Sequence, residues 1–167
     1  MKVRRAQQRD VKDIATIQVR TWQEAYKGLI LESYLANLSI DGKVKKWKKI
    51  LNNEEHNVFV IEVGGKVSGF AGCGKSRADD AKKTEGEIYS IYIDHTFLNK
   101  GLGTALENEV IKKLKEKGFT SASLWVINTN LNARKFYEAC GWQLTEDKKV
   151  DKRDGFELLE LCYRKRL

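Results

Sequence analysis

The stretch from Glu87 to Gly118 constrains the fold more than any other part of the chain. Glu87-Ile88-Tyr89-Ser90-Ile91-Tyr92-Ile93 consists almost entirely of residues that suit a pleated, packed surface, so it reads as a central strand buried on both faces. After a loop over 94–100 the period changes: Leu102, Ala105, Leu106, Val110, Ile111 and Leu114 share one helical face, and Gly118 closes the helix. A strand, a glycine-bearing turn and an amphipathic helix in immediate succession call for a sheet with helices packed against it.

The flanking segments extend this pattern. Asp10 is expected to N-cap a first helix carrying Val11, Ile14, Ala15, Ile17 and Val19 and running towards Trp22, with one or two further helices over 31–51. His56 to Val63 and Lys66 to Cys73 are β-rich runs joined by Gly64-Gly65, a hairpin signal. A charged loop over 76–86 precedes the central strand. Beyond it come a strand over 121–127, a helix from about 130 to 139, and strands near 142–150 and 156–163. The chain has no proline, so its boundaries rest on Gly, Asn, Asp and periodicity. The expected fold class is α/β (α+β): one domain over 1–167 with a mixed, partly antiparallel central sheet flanked by helices, and not a doubly wound one.

Composition excludes several functions. The amino-terminal residues are charged from Lys2 onward, unlike a signal peptide, and no apolar run reaches the roughly 20 residues of a membrane span. Cys73, Cys140 and Cys162 are widely spaced and form no metal-ligand pattern, which points to a reducing cytoplasm. With only His56 and His95 available, neither a metal centre nor a Cys-His nucleophile is expected. The net charge of +8 sits in lysine and arginine runs. These read as solvated helix faces and a tail, with nucleic acid or an acidic partner as the alternative.

The turn Asn99-Lys100-Gly101-Leu102-Gly103-Thr104 enters a helix, where free backbone N–H groups and the helix dipole favour an anion. The pattern lacks the third glycine of a dinucleotide fingerprint and the Gly-Lys-Ser/Thr of a P-loop. A second unit follows: Asn130-Leu131-Asn132-Ala133-Arg134-Lys135-Phe136-Tyr137-Glu138-Ala139-Cys140-Gly141-Trp142. Together the two units resemble the acetyl-CoA-binding region of the GNAT N-acetyltransferase superfamily. The likeness extends to Arg4 and to Trp22-Gln23-Glu24-Ala25-Tyr26-Lys27-Gly28-Leu29, and so covers nearly the whole chain. Two positions depart from the family pattern: Leu98 stands where Gln or Arg usually opens the turn, and His95 where proline is frequent.

The resemblance implies that acetyl-CoA is held at Asn99, Lys100, Gly101, Leu102, Gly103 and Thr104, with pantetheine along Ile91, Tyr92, Ile93, Asn130, Ala133 and Tyr137. Asn130 also suits a helix N-cap. An alkyl amine is almost wholly protonated at neutral pH, a handicap of roughly 4 kcal/mol for attack on a thioester, so a base is needed. Glu87 is the candidate, with Tyr92 as a second polar group, and Tyr137 is the candidate acid for the leaving thiolate. Trp22 and Tyr26, at i and i+4, resemble acceptor-pocket residues, although core packing explains their spacing equally. The expected acceptor is a small-molecule amine; a protein or peptide amine, and an acyl-CoA-sensing module without turnover, are the alternatives. Two copies are expected to be able to pair through their C-terminal strands as a homodimer.

Overall fold

The computed structural model describes residues 1–79, 81–153 and 155–167. Strands β1 (Lys2–Arg5), β2 (Asn57–Val63), β3 (Lys66–Lys75), β4 (Glu85–Ile93), β5 (Ser121–Ile127), β6 (Gln143–Arg153) and β7 (Phe156–Arg166) form one sheet in the order β1-β2-β3-β4-β5-β7-β6. Among the described residues only β4 and β5 pair in parallel; every other neighbouring pair is antiparallel. The helices are α1 (Val11–Ala25), α2 (Glu32–Ala36), α3 (Ile40–Leu51), α4 (Leu102–Glu116) and α5 (Leu131–Ala139). The mixed, partly antiparallel sheet expected from the sequence is therefore present. Of the expected charged loop, residue 80 lies outside the described residues.

The sheet separates two cores. On one face Leu102, Leu106, Val110 and Leu114 of α4 and Tyr137 of α5 pack against Ile61, Ala71, Ile88 and Leu124. On the other, Val11, Ile14, Ala15 and Ile17 of α1 join Trp47 of α3 against Val58, Val60 and Phe70. The β2–β3 hairpin turns at Gly64 and Gly65, both at positive φ (58° and 80°), as a primed two-residue turn requires. A smaller cluster of Tyr26, Leu35, Ile127 and Leu158 ties the chain after α1 to the ends of β5 and β7.

Two expectations need correction. Asp10 does not cap α1 with its side chain: its carboxylate accepts from the Gln7 N–H at 2.7 Å and from Arg4 at 2.7 and 2.8 Å. Arg4 also reaches Glu62 on β2, so this buried acid fastens β1 to the sheet and to the turn before α1. The second correction concerns β4, which is central but not buried throughout: Glu85 to Ile88 are buried, whereas Tyr89 to Ile93 are only half-buried.

The reason lies in the register. Pairing of β4 with β5 runs from Glu85↔Ser121 to Ile88↔Leu124 and ends there, while β4 continues beside β3 to Ile93 and β5 continues beside β7 to Ile127. The two strands therefore part, and among the described residues the β5-facing side of Tyr89 to Ile93 has no strand partner. The parting begins at a β-bulge: Gly72 faces Ser90 and Cys73 faces Ile88, which leaves Tyr89 as the extra residue of β4. A bulge resets the alternation of side chains along a strand. Ile88, Ile91 and Ile93 accordingly all pack towards α4 and α5, while Tyr89 and Tyr92, three residues apart, both line a pocket on the other face.

Candidate active site

At the C-terminal end of the parted strands lies the turn into α4. Asn99 (φ 59°) and Gly101 (φ 78°) both adopt the left-handed conformation, which Asn and Gly tolerate best. The Gly101 carbonyl accepts the first helical hydrogen bond, from Ala105 N–H at 3.1 Å. The N–H groups of Leu102, Gly103 and Thr104 are thus those that a helix leaves without an internal partner, and no acidic side chain stands in this first turn. The arrangement suits a diphosphate. The roles within the turn differ from residue to residue. Leu102 is buried in the core and offers only its backbone, Thr104 is exposed, and Lys100 donates to the Thr96 carbonyl at 3.0 Å with its ammonium over the Phe97 ring. Gly103 serves packing: a Cβ there would meet the Phe136 ring at 3.2 Å, so glycine lets α4 approach α5.

Asn130 caps α5, accepting from Ala133 N–H at 3.1 Å, and its amide donates to the Tyr26 hydroxyl at 3.2 Å. Trp22 stacks near Tyr26 (centroids 4.9 Å apart) and donates from Nε1 to the Tyr92 hydroxyl at 3.0 Å. The expected substrate residues Trp22 and Tyr26 thereby join the expected cofactor residues Asn130 and Tyr92 in one aromatic cluster. Tyr137 is 8% exposed, packed between Phe136, Trp142 and Tyr163. Burial raises its phenol pKa, and the neighbouring Tyr92 and Tyr26 raise it further. Tyr26 is pushed up to about 12, mainly by burial. The three phenols therefore stay protonated at neutral pH, and Tyr137 can donate a proton.

Glu87 is 2% exposed, and its oxygens accept from the Arg77 backbone N–H at 2.8 Å and from the Arg77 guanidinium. A carboxylate so engaged is not a free base. Arg77, 59% exposed at its side chain, in turn lines the pocket with its guanidinium 4.4 Å above the Tyr89 ring.

That pocket, of about 500 Å³, is walled by Gln18, Trp22 and Tyr34 from the first two helices, Tyr89 and Tyr92 from β4, and Lys149 and Glu160 from β6 and β7. Arg77 and Glu160 were not singled out from sequence. Arg77 sits in a loop without periodicity, and Glu160 falls in an alternating strand where a glutamate reads as solvent-facing. Glu160 pairs with Lys149 at 3.1 Å, and its charge is felt by both Tyr26 and Tyr92.

A parallel strand pair that separates beside a helix turn suited to a diphosphate, with a buried phenol on one side and a small pocket on the other, fits an acyltransferase that takes its acyl group from a coenzyme A thioester. The sequence model of the acetyltransferase (GNAT) family matches residues 13–142, and the chain belongs to that family. It is an N-acetyltransferase, and acetyl-CoA is the cosubstrate of its family. Similar sequences include an uncharacterised N-acetyltransferase, YuaI, of Bacillus subtilis (35% identical, covering 82% of this chain and 77% of that protein). Another, from Archaeoglobus fulgidus, is 32% identical over 82% of this chain and 89% of its own length. A third, from Methanocaldococcus jannaschii, is 36% identical over 62% of this chain, a match that spans about half (49%) of that protein. The same fold occurs in a ribosomal-protein-alanine N-acetyltransferase from Brucella melitensis (TM-score 0.79, 21% identity, 100% of both chains). It also occurs in a putative acetyltransferase from Salmonella typhimurium solved with acetyl-CoA (TM-score 0.74, 18% identity, 99% and 92% of the two chains).

Proposed function

We propose that residues 1–167 form one acetyltransferase domain that transfers an acetyl group from acetyl-CoA to a primary amine of a small molecule by direct attack on the thioester. The observation that carries this reading is that Tyr89 and Tyr92, in the part of β4 beyond its pairing with β5, line a pocket of about 500 Å³, a volume suited to a small ligand. The α1–α2 segment walls that pocket with Trp22, Tyr34 and Leu38, which favours a small amine over a protein or peptide acceptor. A cytoplasmic setting accords with three cysteines that are all free thiols.

Acetyl-CoA supplies a thioester whose carbonyl is open to an uncharged amine. The N–H groups of Leu102, Gly103 and Thr104, with Asn99 and Gly101 shaping the turn and Lys100 beside it, hold its diphosphate. Backbone groups of Ile91, Tyr92 and Ile93, left without a strand partner, pair with the pantetheine amides, while Asn130 and Ala133 line its other side. Trp22 and Tyr26 position the acceptor. Glu160 takes the proton from the ammonium; it is preferred to Glu87 because, although paired with Lys149, it lines the pocket, whereas Glu87 is buried and held by both the backbone N–H and the guanidinium of Arg77. As the new C–N bond forms and the C–S bond breaks, Tyr137 gives its proton to the departing thiolate and is restored by the proton that the acylated nitrogen sheds, so the one proton released is that taken up by Glu160.

Release of free thiol from acetyl-CoA, measured across a panel of amines, tests the reading. Amine-dependent release supports it; the absence of both release and calorimetric binding of acetyl-CoA by the folded protein overturns it. Glu160→Gln is expected to lower kcat roughly a hundredfold. Glu87→Gln producing the larger loss of kcat would transfer the base role to Glu87.

A further inference from the structure

The charges around the acceptor pocket are unequal. Five cations line it: Lys43 and Lys46 from α3, Arg77, and Lys149 and Arg153 from β6, against the carboxylates Asp151 and Glu160. Three of the cations have partners. Lys149 meets Glu160 at 3.1 Å, Arg153 meets Asp151 at 2.5 Å, and Arg77 covers Glu87. Lys43 and Lys46 are one helical turn apart, so both ammonium groups can reach the same side of α3. Among the described residues no carboxylate lies within ion-pair distance of either.

Cationic crowding is felt at this wall: burial lowers the pKa of Lys43, and the charges of Lys46 and Arg153 lower it further. Like charges gathered in a half-enclosed site repel one another unless an anion joins them. The phosphates of coenzyme A do not fill that role, because they belong at the N-terminus of α4, and α4 packs on the opposite face of the sheet from α1 and α3.

We propose that the acceptor carries an oxyanion, a carboxylate or a phosphate, beside its amine, that Lys43 and Lys46 bind this group, and that the pocket thereby discriminates against polyamines. The inference rests on the acetyltransfer reading above and names the class of amine it uses. In the two neighbouring ion pairs Glu160 exchanges Lys149 for the incoming ammonium, while Arg153 stays with Asp151 and donates to the Tyr34 hydroxyl at 3.1 Å.

Matched acceptors test it. β-Alanine is compared with its amide, and phosphoethanolamine with ethanolamine; spermidine serves as the polycation. The anionic member of at least one pair is expected to show a kcat/KM roughly tenfold higher, through KM, with the difference shrinking as salt is added. The pair that discriminates tells carboxylate from phosphate. In the double variant K43M/K46Q, which keeps the aliphatic stem of the half-buried Lys43, the preference is expected to vanish while kcat stays near that of the parent. Equal or better use of the uncharged member in both pairs, or of spermidine, by the parent enzyme would overturn the proposal, as would a preference that survives in the double variant. Calorimetry separates this outcome from failure of the acetyltransfer reading. Acetyl-CoA is titrated into both proteins to test that reading, and β-alanine and phosphoethanolamine are titrated without it. Heat for either that is lost in K43M/K46Q supports the oxyanion site even without turnover; heat unchanged in the variant, or absent for both in the parent, refutes it.

Discussion

The acid role proposed for Tyr137 rests on how its surroundings hold its proton. Its phenol is held above the ordinary value of 10, first by burial and then by Tyr92 and Tyr26. A raised pKa keeps the proton in place, so the acid form is fully populated below pH 10 and is lost only as pH climbs through the higher folded value. Tyr137→Phe is therefore expected to cut kcat roughly a hundredfold with little change in KM for acetyl-CoA, and the parent enzyme should show no loss of this acid below pH 10. Steady-state rates from pH 6 to 10.5 check both points. Gly101 offers a second test at this scale. With φ at 78°, an alanine there costs about 1 kcal/mol in backbone strain and should raise KM for acetyl-CoA, because the amide cradle depends on that conformation. Thermal melting and saturation kinetics on Gly101→Ala measure the two effects together.

Strand β4 owes its double use to one extra residue. The bulge at Tyr89 sends Ile88, Ile91 and Ile93 to one face and Tyr89 and Tyr92 to the pocket, which strict alternation could not do. Deleting Tyr89 removes the extra residue and sets Ile88, Ile91 and Ile93 at successive spacings of two, so regular alternation keeps all three in the core and that variant is expected to retain cooperative unfolding. Tyr89→Phe keeps the bulge and forfeits only the hydroxyl bond to the Lys75 carbonyl (2.7 Å), a loss of about 1 kcal/mol. Urea titration followed by circular dichroism checks both variants. The strand itself was legible from its β-branched and aromatic residues, and the hairpin from Gly64-Gly65. The bulge was not, because it exists only through the pairing of β4 with β3.

Across the whole molecule the Arg4–Asp10–Glu62 cluster joins the first strand, the turn before α1 and β2. Arg4 holds the Asp10 carboxyl below its usual 3.8, aided by the Gln7 N–H. A depressed carboxyl pKa contributes stability that is present above 3.8 and is lost as pH falls through the lower folded value. Arg4→Met strands a buried charge and should cost about 3 kcal/mol at pH 7, with a shallower fall in stability between pH 5 and 2 than in the parent; urea midpoints across that range report it. What the sequence determined by itself was local: the helix faces, the strands, the hairpin, the turn at Gly101 and Gly103, and the Asn130 cap, each encoded within a short window of residues by periodicity or backbone preference. The parting of β4 from β5, the sealing of Glu87 by Arg77 and the gathering of Lys43, Lys46, Arg153 and Glu160 around one pocket were decided by the tertiary structure. The parting of the strands and the gathering of the pocket join segments far apart in the chain, the Arg77–Glu87 contact spans ten residues from the loop after β3 into β4, and the free energy of all three is gained only when the sheet closes.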